Sequence, residues 1–307
     1  MKKSRTIYLI MGLIAFAFMS LIPKAALAQG TLSLSQDSAL KGSKPYMEAV
    51  NNYLDKKQPK IVGGKLAPIG AYPWQVSLGV SWIADPYSAH FCGGTVLSER
   101  WIITAAHCVV DTSPARIAVT AGTNTLVAGA TRRNVKLIIV HKSYNPAKDD
   151  NDVAMMELTD PLPTGIFIKS IPLLTSTAES VLLIKDAPLA VTGWGATEFG
   201  GSKVRDLRHL DNLPFVPTLT CNDASAYNGR ITENMICAGP RAGGEDSCQG
   251  DSGGPLTVET GTSPKLAGIV SWGEKCAEAE KVGVYTRVAR YVDWVNGCLT
   301  NAASCNQ

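Results

Sequence analysis

Asp246-Ser247-Cys248-Gln249-Gly250-Asp251-Ser252-Gly253-Gly254-Pro255 places one hydroxyl nucleophile in a glycine-rich turn, with acids at Asp246 and Asp251 that need separate explanations. Gly-x-Ser-x-Gly alone, here Gly250 to Gly254, also describes ordinary turns and the nucleophile elbow of α/β-hydrolases. A serine hydroxyl is a weak nucleophile at neutral pH, so it needs a base within hydrogen-bond reach and a third group that holds the base in one tautomer. The chain has 4 histidines, His90, His107, His141 and His209, and all precede Ser252. An α/β-hydrolase needs its histidine after the serine, so chain order excludes that alternative.

Upstream of Ser252, His107 follows the β-type run Trp101-Ile102-Ile103-Thr104 through two alanines, which leave room for a substrate beside the ring. Asp149-Asp150-Asn151-Asp152 leads into the apolar Val153-Ala154-Met155-Met156, and Asp152 is the acid that adjoins it. A carboxylate entering a buried strand needs a partner, because an unpaired buried charge is costly. An imidazole that takes up a proton is such a partner.

Seven motifs follow in order: Ile61-Val62-Gly63-Gly64, Thr104-Ala105-Ala106-His107-Cys108, Asp150-Asn151-Asp152-Val153-Ala154, Gly193-Trp194-Gly195, Gly250-Asp251-Ser252-Gly253-Gly254-Pro255, Ser271-Trp272-Gly273 and Gly283-Val284-Tyr285-Thr286. From Ile61 to about Asn296 the chain thereby resembles the chymotrypsin-fold serine proteases, trypsin-like branch. The resemblance implies an all-β fold of two six-stranded antiparallel β-barrels, with the active site in the cleft between them and a C-terminal helix. It implies peptide hydrolysis through an acyl-enzyme, with Ser252 as nucleophile, His107 as base and Asp152 as orienting acid. The N–H groups of Gly250 and Ser252 would form the oxyanion hole. Asp246 would lie at the base of the first specificity pocket and favour Arg or Lys, with Ser247 beside it and Gly273 and Gly283 at its walls. Ser271, Trp272 and Gly273 would pair with substrate backbone. A non-catalytic binding protein on the same fold is the alternative of a different class, although such relatives usually lose a triad residue and none is lost here. An esterase is the other, without a lipid-sized apolar motif to support it.

The second acid bears on activation. A cut after Lys60 would create an α-amino group on Ile61, the natural counter-charge for Asp251, so residues 29–60 are expected to be the propeptide of a zymogen. Upstream, Lys2, Lys3 and Arg5 precede an apolar run from about Ile7 to Ile22 and then Ala26-Leu27-Ala28. That order describes a secretory signal peptide over residues 1–28. The expected plan is therefore signal peptide 1–28, propeptide 29–60, N-terminal barrel 61–172 and C-terminal barrel with terminal helix 173–307. The product would be extracellular or periplasmic, monomeric and without a membrane segment once the signal is removed.

The whole chain carries a formal charge of +3, but residues 1–60 hold 9 of its 29 basic and 3 of its 26 acidic residues. That leaves 20 basic against 23 acidic residues from Ile61 onward, which gives nucleic acid no electrostatic footprint. Partners are expected to be protein or peptide substrates with Arg or Lys at the cleaved position, and protein inhibitors. Eight cysteines in an exported chain point to disulfides. The resemblance pairs Cys92 with Cys108, Cys221 with Cys237 and Cys248 with Cys276, leaving Cys298 and Cys305 together. Zinc is disfavoured because no paired C-x-x-C spacing occurs. No Asp or Glu lies between Ala121 and Asn134, where some trypsins bind calcium, so neither metal nor cofactor is expected.

Short β-rich runs separated by Gly, Pro and Asn turns suit barrels or sandwiches: 75–80, 117–120, 135–140, 189–192 and 266–270. Val288–Val295 has apolar i, i+4, i+7 spacing and predicts one terminal helix.

Overall fold

A computed structural model describes residues 41–55, 65–196, 200–244, 247, 249–261, 263–274 and 278–306. The expected signal peptide, Lys60, Ile61, Asp246, Cys248 and Cys276 lie outside the described residues.

The described residues open with a helix α1 (Lys44–Leu54), and a two-residue strand β1 (Lys65–Leu66) comes next among the described elements. Six strands then close the first barrel: β2 (Gln75–Val80), β3 (His90–Val96), β4 (Trp101–Thr104), β5 (Ile117–Ala121), β6 (Thr131–Val140) and β7 (Ala154–Leu158), in the order β2-β3-β4-β7-β6-β5. Two single-turn helices, α2 (Pro86–Ala89) and α3 (Ala106–Val109), sit at the joints before β3 and after β4. Helix α4 (Ser176–Leu182) then leads to the second barrel, formed by β8 (Pro188–Gly193), β9 (Arg208–Val216), β10 (Met235–Ala238), β11 (Pro255–Val258), β12 (Lys265–Trp272) and β13 (Gly283–Arg287). Its order is β9-β10-β13-β12-β11-β8, closed by β8 against β9, while β1 adds to the outside of β9. A short α5 (Thr218–Cys221) follows β9, and α6 (Val292–Thr300) follows β13. The fold is thus two six-stranded antiparallel barrels and a small terminal helix. That helix is displaced from its expected span: Val288–Arg290 forms a 3₁₀ turn, and the α-helical part begins at Val292.

Alternation of apolar and polar residues is weak in β2 and β3 because every residue of both is buried, which follows when a strand has a packed interior on one side and a neighbouring element on the other. Val76, Leu78, Ile102, Ile103, Val119, Ile139, Met155 and Met156 fill the first barrel. Leu189, Val191, Leu213, Ile236, Leu256 and Tyr285 fill the second. Each such side chain contributes roughly 1.5–3 kcal/mol on burial.

Buried polar contacts join the barrels. Thr192 Oγ1 donates to Gln75 Oε1 at 2.6 Å, and Thr286 Oγ1 donates to the Asp152 carbonyl at 2.6 Å. The Gly93 N–H donates to the Ser252 carbonyl at 2.7 Å. Glycine is needed at 93, since a Cβ there would lie 2.8 Å from Gly254 Cα, closer than real contacts allow.

Candidate active site

Strand register delivers the functional side chains. Thr104 of β4 pairs with Ala154 of β7, so His107, three residues beyond Thr104, and Asp152, two before Ala154, meet at one end of the first barrel. In the second barrel Pro255 of β11 pairs with Ile269 of β12, which brings Ser252 and Ser271 to the same edge. The two edges face each other. A cavity of about 1360 Å³ is lined by His107, Ser252, Gly250, Ser271, Gln249 and His90 among others.

Asp152 is 1% exposed. Its Oδ1 accepts the His107 backbone N–H at 2.8 Å, and its Oδ2 accepts His107 Nδ1–H at 2.7 Å and the Ser271 hydroxyl at 2.5 Å. Of the neighbouring acids, Asp150 turns away and accepts from Thr232 Oγ1 at 2.7 Å in the second barrel. Burial alone would raise the Asp152 carboxyl and lower the His107 imidazole. Their mutual attraction and the three hydrogen bonds outweigh it, holding Asp152 below the ordinary carboxylate range and His107 above the ordinary histidine value of 6.5. Because Nδ1 spends its proton on Asp152, the neutral ring leaves Nε2 as a proton acceptor. An imidazole so held, beside a serine in a shared cavity, has the chemistry needed for acyl transfer.

A raised His107 has a consequence for pH. A general base acts only when neutral, so kcat/KM on a small peptide substrate is expected to fall in acid with its midpoint above 6.5. A pH–rate profile with its acid midpoint at or below 6.5 would contradict this assignment.

His90, not singled out among the candidate residues, anchors the loop that carries Ser252. It is 1% exposed, and burial with the nearby Lys203 charge holds its pKa down to about 3, so the ring is neutral. The Gly250 carbonyl, 3.1 Å from Nε2, can only accept; Nε2 therefore donates, and Nδ1 accepts from the Ser77 hydroxyl at 2.8 Å. A histidine opening the mostly apolar strand β3 is the available signal. Gly250 itself has φ of +98°, a conformation that side-chain-bearing residues rarely adopt.

Asp251 lies on the far side of the loop. Its Oδ1 accepts the Gly195 N–H at 2.8 Å, and it borders a second cavity of about 340 Å³ with Gly193, Gly195 and Ser247. Ser247 Oγ is 3.3 Å from the Tyr285 hydroxyl. Trp272 ends β12, Gly273 follows it, and Gly283 opens β13 opposite Ala238. Disulfides join Cys92 to Cys108, Cys221 to Cys237 and Cys298 to Cys305. The first of them ties β3 to the helical turn carrying His107.

Comparison with known proteins gives this geometry its family. The family model described as Trypsin matches residues 61–295. This chain belongs to the trypsin family. As a member it is a serine endopeptidase of the trypsin-like kind, in keeping with a serine hydroxyl and an imidazole at one cleft and a carboxylate bound to that imidazole. Among curated relatives, coagulation factor IX of Cavia porcellus is 40% identical over 240 residues, covering 76% of this chain and 80% of that protein. Among its described residues, this trypsin-family protease has no helix long and apolar enough to cross a membrane.

Proposed function

We propose that this protease hydrolyses peptide bonds after Arg or Lys, with Ser252 attacking the carbonyl, His107 taking the Ser252 proton and returning it to the leaving amine, and Asp152 orienting the ring and stabilising the imidazolium. The observation that carries the proposal is His107, held by Asp152 through two hydrogen bonds and lining the same cavity as Ser252. The N–H groups of Gly250 and Ser252 stabilise the developing oxyanion, each worth roughly 3 kcal/mol in sites of this type.

Specificity is assigned to Asp246, with Ser247 beside it, Gly273 and Gly283 leaving the slot clear, and Ser271-Trp272-Gly273 pairing with substrate backbone. A carboxylate at the end of a narrow slot selects a long cation. Asp246→Ser is expected to lower kcat/KM for Arg and Lys substrates by about 10²–10³-fold, as loss of a buried charge partner does. A mixed peptide library checks it; unchanged cleavage after Arg would refute the assignment.

The proposal extends to activation and export. The enzyme is made as a zymogen with a signal peptide over residues 1–28, and cleavage after Lys60 frees Ile61 to pair with Asp251. Support comes from the cavity of about 340 Å³ that reaches Asp251. The disulfides accord with an oxidising compartment outside the cytosol.

A further inference from the structure

Residues 29–60 read from sequence as a polar propeptide, yet part of that stretch is built into the catalytic barrel. Helix α1 packs against α2, α3, β2 and β3. Along one face, at i, i+3 and i+4, Tyr46 is 0%, Ala49 5% and Val50 1% exposed, and all three join the first barrel's core. The Tyr46 ring meets Phe91 edge-on at 5.7 Å. The helix start is clamped as well. Ser43 caps it by accepting the Tyr46 N–H, donates its hydroxyl to the Cys108 carbonyl at 2.6 Å, and gives its own N–H to Thr112 Oγ1 at 2.8 Å. Arg116 Nη1 donates to the Lys41 carbonyl at 2.7 Å.

Another ridge of the same helix, Lys44, Glu48 and Asn52 at i, i+4 and i+8, lines the cavity that holds His107 and Ser252. The helix borders this cavity of about 1360 Å³ without filling it, as a wall does and a plug does not. Substrate on the acyl side is assigned to Ser271-Trp272-Gly273 of the second barrel. On that assignment the remainder of the cavity, lined by α1, Tyr87, His90 and Phe91 on the first barrel and by Gly201 to Lys203 across from them, is left for the leaving group.

We infer that α1 is a lasting wall of the leaving-group side: after cleavage at Lys60 the helix stays docked without a covalent tie, and its polar ridge reads the residues that follow the scissile bond. No cysteine precedes Cys92, so no disulfide ties the docked segment to the barrel, and it is held by non-covalent contacts such as its buried face and the clamp at Ser43. This inference rests on the activation scheme proposed above.

The test starts from the full-length precursor, activated and passed through native size exclusion with intact-mass measurement. A peptide ending at Lys60 is expected to co-elute one to one with the chain beginning at Ile61, and to leave only in denaturant. A folded, active enzyme that has lost this peptide would overturn the inference while leaving the activation scheme intact. A precursor that never yields an Ile61 terminus would overturn that scheme and the inference with it. Tyr46→Ala is expected to weaken retention at least about tenfold, as truncation of a buried aromatic anchor does. Should Tyr46→Ala fail to fold, exposed Glu48→Lys carries the test. It is expected to lower kcat/KM about 2- to 5-fold for peptides with Arg or Lys shortly after the cleaved bond, the scale of an exposed charge contact. A chromogenic substrate with no residues beyond its leaving group keeps its rate. An unchanged leaving-side profile in Glu48→Lys would sink the assignment of the ridge.

Discussion

Ser252→Ala is expected to lower kcat on a peptide amide about 10⁶-fold, while leaving the protein folded. The magnitude follows from what is removed. Without the hydroxyl no acyl-enzyme forms, and His107, however well held by Asp152, has no nucleophile of its own to activate. Substrate binding and the backbone donors at Gly250 survive, so a residual acceleration of about 10³–10⁴ over water is expected from them. The side chain is only half-buried, and losing one oxygen there creates no unpaired buried group comparable to an orphaned charge. Turnover of the pure variant, with melting temperature as the folding control, checks both halves. Full retention of activity would remove Ser252 from the mechanism.

Asp152→Asn is expected to cost about 10⁴-fold in kcat with little change in structure. Three donors converge on the carboxylate: two from His107 and the Ser271 hydroxyl. An amide has only one acceptor oxygen, so it must turn its NH₂ toward one of these positions. Toward Oδ1 it would oppose the His107 backbone N–H, two donors facing each other in a site 1% exposed, at a cost of about 1–3 kcal/mol. Toward Oδ2 it would meet Nδ1 and Ser271, whose hydroxyl can rotate to accept. That second arrangement is favoured, and it leaves Nδ1 as an acceptor. The ring's proton then sits on Nε2, where it cannot accept one from Ser252. Steady-state kinetics decide the matter, and a loss of tenfold or less would show that Asp152 does not set the tautomer.

How far the molecule was legible in its sequence varied with the range of the interaction involved. The β-rich runs at 75–80, 117–120 and 189–192 lie in β2, β5 and β8, because a short strand between turn residues is a local signal. His107, Asp152 and Ser252 stood out through motifs, but nothing local joins residues 45 and 100 positions apart. Register does that, through Thr104 against Ala154 and Pro255 against Ile269. Two features escaped. His90 looked like one more histidine, since its partners Ser77 and the Gly250 carbonyl are 13 and 160 residues away. Helix α1 escaped because polar, lysine-bearing flanks such as Asp55-Lys56-Lys57-Gln58-Pro59-Lys60 dominate the reading of the stretch around Lys44 to Leu54. Its apolar residues Tyr46, Ala49 and Val50 have helical spacing, but only the barrel surface beneath them makes the helix worthwhile.

The proposed chemistry stands on an imidazole from the first barrel activating an alcohol from the second. Its most direct measurement is covalent labelling of the activated enzyme with an organophosphorus reagent, followed by peptide mapping. One modified residue is expected, Ser252, labelled at a rate that follows ionisation of His107 and collapses in His107→Ala. Labelling at another residue, or at Ser252 with an undiminished rate in His107→Ala, would contradict it.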